Sequence, residues 1–347
     1  YDSIINKKHT AAFLSTTGTT GTPFKVPVSR EFIYHQWAVF WKFRMIHGLN
    51  MDSWCAYFHG KFLFSRNKKQ PPYWIQSWST KQLLMSIVHL NRDTVESYLC
   101  EIKKRGIRWI HAYPSVLILL AELIAEKNLH DFARSLNLFV ITTSSETITC
   151  EQKEKVENIF GSRVRQLYGL TEGVANIFEC EMGKLHVDES FSLVEFLPET
   201  NNENYYKIIG SHYHNRAFPL IRYDTGDICR ISKQAVPCPC GRLSRVVDEI
   251  TGREQDFLFL ADNSKIVSPD LIFRNISNIR KVQIIQNKPG HADFYITKNQ
   301  NFSSSNEADI KRNIADYLGN SFTFRLIYTT VMPLEKNGKW PFVVRDL

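Results

Sequence analysis

Residues 13–27 read FLSTTGTTGTPFKVP, a run of hydroxyl side chains and glycines with unhindered backbone N–H groups. Hydroxyls and open amides are the donors that a polyphosphate needs. The run is not a Walker A loop: Gly18 and Gly21 stand too close together, and Thr22 follows Gly21 where that motif requires lysine. Taken alone, it also reads as a flexible Ser/Thr linker. A second set of chemically capable residues is Cys180, His186, Cys238 and Cys240, from FECEMGKLH and CPCG. Three thiolates and an imidazole suit a structural Zn²⁺. The C-x-C spacing is tighter than the usual two to four intervening residues, and the alternative is four buried, reduced side chains. Cys229 is a reserve ligand. Cys55, Cys100 and Cys150 read as ordinary thiols, since no motif pairs a cysteine with a histidine for nucleophilic catalysis.

The elements that must hold such residues alternate between helix and strand. Residues 93–104 predict a helix with Asp93 as N-cap and Gly106 as stop. IRWIH (107–111) predicts a buried strand, and Pro114 suits the first turn of the apolar helix 116–127. LNLFVITT is the next strand; Thr149 and Gln152 make a capping box for a helix to about Gly161; RVRQLYG is a further strand. This alternation implies parallel βαβ units and an α/β fold with a doubly wound, mostly parallel sheet. In such sheets ligands sit beyond the carboxyl ends of the strands. Three polar clusters fall there: HAYPS (111–115), TTSSE (142–146) and YGLTEG (168–173). After Gly252-Arg253 the texture changes. KVQIIQ and ADFYITK predict paired strands, NEADIKRNIADYLG a helix and FTFRLIYTT a last strand, followed by the loop PLEKNGKWPF. The expected division is a large domain over 1–252 and a small α+β domain over 253–347, with a hinge near Gly252–Asp256.

Bulk properties narrow the classes. The chain has 347 residues, 43% hydrophobic and 13% aromatic, enough for a large core. Its 43 Lys+Arg against 35 Asp+Glu give +8, spread without a basic block, which favours anionic small ligands over nucleic acid. The longest apolar run, Val116 to Ala125, contains Glu122 and is too short to span a bilayer. Seven cysteines without regular spacing argue against a disulfide framework and for a reduced cytoplasmic compartment.

The remaining motifs are LIRYDTGD (220–227), TGREQDF (251–257) and KNGK (336–339). In this order, with the Thr/Gly loop and YGLTE, they resemble the acyl-adenylate-forming superfamily of ligases. HAYPS, SSE, YGLTEGVANIFECE, PLIRYDTGDI and CPCGR make the chain most similar to the phenylacetate–CoA ligase group, especially its capsular-polysaccharide-type members. The resemblance covers the whole chain; what is missing is the segment that family members carry before the Thr/Gly loop. It implies a carboxylate that attacks the α-phosphate of ATP and releases pyrophosphate. Thr16, Thr17, Gly18, Thr19, Thr20 and Gly21 would then hold the β- and γ-phosphates, with no internal lysine because those phosphates leave. Glu172 would hold Mg²⁺, and Thr171 would donate to the α-phosphate. Asp227 would accept both ribose hydroxyls and Arg253 would add a ribose or phosphate contact. Tyr168, Gly169 and the Ser145-Glu146 pair would line the adenine side. Lys339 would reach in to stabilise charge on the transferring phosphate. The zinc set is helped by a similar Cys/His set in phenylacetate-type ligases.

His111 and Tyr113 either line the acyl pocket or belong to the core. Gln255 departs from the acidic or basic residue usual at the family's hinge, and ADNSKIVSPD lacks the glycine pattern that accompanies a CoA tunnel. The expected activity is ATP-dependent adenylation of a small carboxylic acid. Transfer to CoA, or to an amine or hydroxyl acceptor in surface-polysaccharide or natural-product synthesis, would follow. The alternative is a non-catalytic nucleotide-binding paralogue.

Overall fold

The computed structural model describes residues 5–15, 25–59, 63–198, 204–231, 237–251, 257–267, 269–273, 276, 278–334 and 341–346. It opens with an antiparallel hairpin, β1 (Ala12–Ser15) and β2 (Lys25–Val28), in which Ser15 faces Lys25. Helix α1 (Arg30–Ile46) follows, and the Ser29 hydroxyl accepts the Phe32 N–H at 3.2 Å to cap it. Next come β3 (Cys55–His59), β4 (Trp74–Ser77), β5 (Gln82–Ser86), α2 (Val95–Lys104) and β6 (Trp109–Ala112). Then follow α3 (Pro114–Glu126), α4 (His130–Arg134), β7 (Val140–Ser144), α5 (Cys150–Phe160) and β8 (Val164–Gly169). Strands β9 (Asn176–Glu179), β10 (Leu185–Val187), β11 (Ser192–Pro198), β12 (Tyr205–His212) and β13 (Tyr223–Arg230) lead to β14 (Val246–Val247) and β15 (Glu249–Thr251). The C-terminal part holds β16 (Phe257–Phe259), β17 (Lys265–Val267), β18 (Ile279–Lys288), β19 (His291–Lys298), α6 (Ser304–Leu318), β20 (Thr323–Tyr328) and β21 (Val343–Arg345).

The main sheet has nine strands in the order β14-β10-β9-β8-β7-β6-β3-β5-β4. Its centre, β8-β7-β6-β3-β5, is parallel, as the alternation of helix and strand predicts, and antiparallel strands close both edges. A separate antiparallel sheet runs β11-β12-β13-β15, and a third runs β20-β19-β18-β21.

Local sequence explains the helices around the parallel core. Thr149 and Gln152 form the expected capping box, and Gly161 ends α5 in the left-handed region at φ 65°. Pro114 occupies the first turn of α3, whose Val116, Leu117, Leu119, Leu120, Ala121, Leu123 and Ile124 are all buried, so this is a core helix rather than a surface one. Two boundaries differ from the sequence reading. The N-cap of α2 is Thr94, because the Asn91 side chain accepts the N–H of Asp93 at 2.9 Å and keeps the chain turning there. The strand read from Leu136 starts at Val140, after a turn with Asn137 at φ 50°.

The C-terminal part is the predicted α+β unit, with one correction. β20 is not the last strand: β21 follows the segment 335–340 and pairs parallel with β18. The main apolar core runs without a break from Ala56, Leu120 and Ile124 to Leu258, Ile266, Phe294 and Ile314 of this unit. Lys265 also meets Glu122 of α3 at 3.3 Å, and the Arg66 N–H donates to the Asp316 carbonyl at 2.8 Å.

Candidate nucleotide and metal sites

The parallel register brings the three polar clusters to one edge. His111 pairs with Thr142, Ala112 with Thr143, and Ser144 with Leu167, so β6, β7 and β8 end side by side. The first two clusters are directly joined. The Glu146 carboxylate accepts the Ser115 N–H at 2.8 Å and the Ser115 hydroxyl at 2.9 Å. Ser115 is in the first turn of α3, so Glu146 puts a negative charge on the positive end of that helix dipole. Besides its expected place beside the base, Glu146 therefore fixes where α3 starts. Ser145, next to it, adopts φ 73°. His111 stacks on Tyr57 with ring centroids 4.8 Å apart, and its Nδ1 lies 2.8 Å from the Thr142 hydroxyl, which also accepts Trp109 Nε1–H at 2.8 Å. Tyr113 is the residue just before Pro114, packed against the core.

The third cluster is tied to TGD by a crossed pair of hydrogen bonds. Tyr168 donates its hydroxyl to Asp227 Oδ2 at 2.8 Å, and Tyr223 donates to Glu172 Oε1 at 3.2 Å. Each tyrosine stands four residues before the acid of its own segment and bonds the acid of the other. Burial, reinforced by Asp227, holds the Tyr168 hydroxyl protonated well above the usual tyrosine range. Asp227 reaches Tyr168 because β13 bulges. Asp224 pairs with Ile209 and Ile228 with Lys207, so four steps along β13 oppose two along β12. Two glycines let the segments approach. Gly173 sits at φ 64° with the Phe32 ring 2.3 Å from where a Cβ would lie, and a Cβ on Gly210 would meet the Val174 carbonyl at 2.2 Å. Tyr57 was not read from sequence, and Ser115, Thr142 and Tyr223 were read only as members of their clusters, without a role. For Tyr223 a further signal was the Tyr-x₃-acid spacing that YDTGD shares with YGLTE.

The four cysteine and histidine residues converge as their types predict. Their ligating atoms all lie within 4.8 Å of one another. Cys180 Sγ and Cys238 Sγ are 3.8 Å apart, and Cys240 Sγ and His186 Nε2 are 3.4 Å apart. A tetrahedral zinc with its usual bond lengths sets S···S at about 3.8 Å and S···N at about 3.6 Å. The donor set therefore fits zinc. His186 Nδ1 lies 3.1 Å from the Ser244 hydroxyl, which leaves Nε2 to face the thiols. β10 brings His186 against Val246 of β14, and the turn at Cys180 is closed by its N–H donating to the Lys184 carbonyl at 2.8 Å. Beside it the buried Glu179 carboxylate is held by Lys153, by Arg165 at 3.3 Å and by the Gln166 N–H at 3.2 Å. Cys229, the reserve ligand, is instead part of the apolar core between the two sheets.

Thr16, Thr17, Gly18, Thr19, Thr20 and Gly21, together with Arg253, Gln255 and Lys339, lie outside the described residues. Their flanks are described. β1 and β2 bracket the Thr/Gly loop, and β20 and β21 bracket Lys339.

The AMP-binding enzyme family model matches residues 2–195, and the CapK C-terminal domain model matches residues 259–346. Protein CapK of Staphylococcus aureus is 23% identical over 363 residues, covering 100% of this chain and 77% of that protein. A crystal structure of 2-hydroxyisobutyryl-CoA ligase in the postadenylation state, with R3-HIB-AMP bound, aligns with a TM-score of 0.54 at 14% identity. That alignment covers 99% of this chain and 75% of the ligase. The same ligase with 2-HIB-AMP and CoA, in its thioesterification state, gives 0.55 at 14% identity and the same coverage. These likenesses establish a shared fold.

Proposed function

The chain belongs to the AMP-binding enzyme family, and from that premise we propose that it activates a carboxylic acid with ATP and passes the acyl group to an acceptor. A carboxylate oxygen of the substrate attacks the α-phosphorus, the α–β phosphoanhydride bond breaks, and pyrophosphate leaves. The acceptor then attacks the acyl carbon and AMP leaves with the bond electrons. The acceptor is CoA, or an amine or hydroxyl compound in surface-polysaccharide or natural-product synthesis.

The observation that carries this reading is the crossed tyrosine–carboxylate pair at the carboxyl edge of the sheet. Asp227 binds the ribose hydroxyls, and the Tyr168 hydroxyl holds one carboxylate oxygen so that the other faces the sugar. Glu172, oriented by Tyr223, supplies the oxygen ligand for Mg²⁺, a cation that takes one or two carboxylates beside substrate phosphates. Thr171 donates to the α-phosphate, and Tyr168, Gly169 and the Ser145-Glu146 pair flank the base. Thr16–Gly21 hold the departing phosphates, Arg253 adds a ribose or phosphate contact, and His111 and Tyr113 border the acyl group. Residues 1–252 form the adenylating domain and 253–347 the lid that carries Lys339. The Cys180–His186–Cys238–Cys240 set would hold a structural Zn²⁺ and supply no group to the chemistry.

ATP–pyrophosphate exchange measured across a panel of carboxylic acids tests the proposal. Exchange with at least one acid, abolished in Asp227→Ala, is expected. Tight AMP binding without exchange for any acid would instead indicate a nucleotide-binding paralogue.

A further inference from the structure

Glu31 and His35 stand on α1 at the i,i+4 spacing that places two side chains on one helix face. His214, from the segment joining β12 to β13, meets them there. The His35 and His214 rings stack with centroids 3.5 Å apart and planes 9° from parallel. Ligating atoms of all three residues lie within 4.8 Å of one another. We propose that Glu31, His35 and His214 form a second metal site, for a dication of the zinc, nickel or copper type, separate from the cysteine set.

The donor chemistry selects the ion. Two imidazoles and one carboxylate suit borderline transition metals, whereas Mg²⁺ and Ca²⁺ require mostly oxygen ligands. Three protein donors leave the fourth position of a tetrahedral ion to water or to a small ligand. Donors on such an ion lie about 3.3–3.5 Å apart, so closure needs a contraction of at most about 1.5 Å from the present spread, within reach of side-chain rotation alone.

The backbone under the site is already fixed. The Ser29 hydroxyl donates to the His214 carbonyl at 3.1 Å, and the Ser29 N–H donates to Asn215 Oδ1 at 3.1 Å. Asn215, itself buried, donates its amide to the Pro27 carbonyl at 3.0 Å. Both halves of the site are thus tied to one another before any ion arrives, which lowers the ordering cost of binding. The competitor is Arg216, whose Nε lies 3.7 Å from Glu31 Oε2 with the two side chains 71% and 46% exposed. An ion pair so exposed is weak and yields to a dication. A bound ion would tie α1 to the connection that runs on into Tyr223 and Asp227.

The test is a Co²⁺ titration of the full chain, followed by absorption, with Zn²⁺ equilibrium dialysis alongside. The parent protein should bind one more ion per chain than His214→Ala or His35→Ala. The ion that the variants lose should show visible d–d absorption without thiolate charge transfer, which separates it from the cysteine set. Glu31→Gln, at an exposed position, should keep its fold and weaken this ion's binding by at least about tenfold, the loss expected when even an outer partner of a ligand is removed. Equal stoichiometry and affinity in the parent and Glu31→Gln would overturn the proposal, as would charge-transfer bands for every bound Co²⁺.

Discussion

Replacing Tyr168 with Phe removes one hydroxyl, donated at 2.8 Å to Asp227 Oδ2, and leaves the ring in place. A hydrogen bond to a charged acceptor contributes roughly 1.5–3 kcal/mol, which corresponds to about a 10–100-fold change in binding. Asp227 would then meet the ribose without the hydroxyl that orients its Oδ2. AMP affinity, measured by calorimetry, should fall by that factor. The discrimination between ATP and its 2′- and 3′-deoxy analogues in pyrophosphate exchange should shrink, because that preference depends on a fixed carboxylate. The melting temperature should change less than the affinity, since an exposed route to water remains for Asp227. Because the Tyr168 pKa is raised in the fold, its stabilisation is complete below the free tyrosine value and declines as pH rises above it, so the binding defect should be constant across neutral pH. Unchanged AMP affinity together with unchanged deoxy-analogue discrimination would refute the ribose assignment of Asp227 and the positioning role of Tyr168.

Three further outcomes are expected. Protein purified without added metal should carry about one zinc per chain at the cysteine set, as a four-ligand site requires, and Cys238→Ser should lose it with a lower melting temperature; a metal-free parent as stable as the variant would return these side chains to the core. Lys339→Ala should melt within about 0.5 kcal/mol of the parent yet lose roughly 10²–10³ in adenylation; normal exchange would exclude the role and turn attention to Lys336. Burial pushes the pKa values of His89 and His212 down to about 4, so the unfolded chain binds protons first as pH drops. The stability these residues contribute is full above their ordinary value and declines towards pH 4; urea melts at pH 7 and pH 4.5 should show it, and equal midpoints would contradict their burial in neutral form.

Legibility in the sequence followed how local each signal was. The α5 boundaries came from Thr149, Gln152 and Gly161, residues in or beside that helix, and the structure places them as read. α1 gave no such pattern: its FIYHQWAVFWKFRMI is apolar and aromatic around most of the helix, so no polar face marks a period. β3, β4 and β5 are short, and β3 lies between β5 and β6 through pairings distant in sequence. The Cys/His cluster was legible by residue type. What joins Cys180 to Cys238 is the two-residue strand β14 on β10, too short to leave a pattern. The site carboxylates were readable as motifs, while their tyrosine partners depend on a bulge and on two close backbone approaches that no local propensity encodes.

The bulge that delivers Asp227 has a surplus of two residues, four steps against two. Two is the period of a strand, so the alternation of inward and outward side chains resumes in phase beyond it. Cys229 accordingly still points into the apolar layer with Ile208 and Val194, as the undisturbed ladder would have placed it. A surplus of one would have turned that half of β13 inside out, with Ile228 and Arg230 driven toward the core. The bulge is therefore a phase-neutral insertion: deleting Gly226 and Asp227 together would keep the alternation of the sheet, whereas deleting one residue would reverse it. The carboxylate of Asp227 and the integrity of the sheet are thus separable in this strand by the parity of its length.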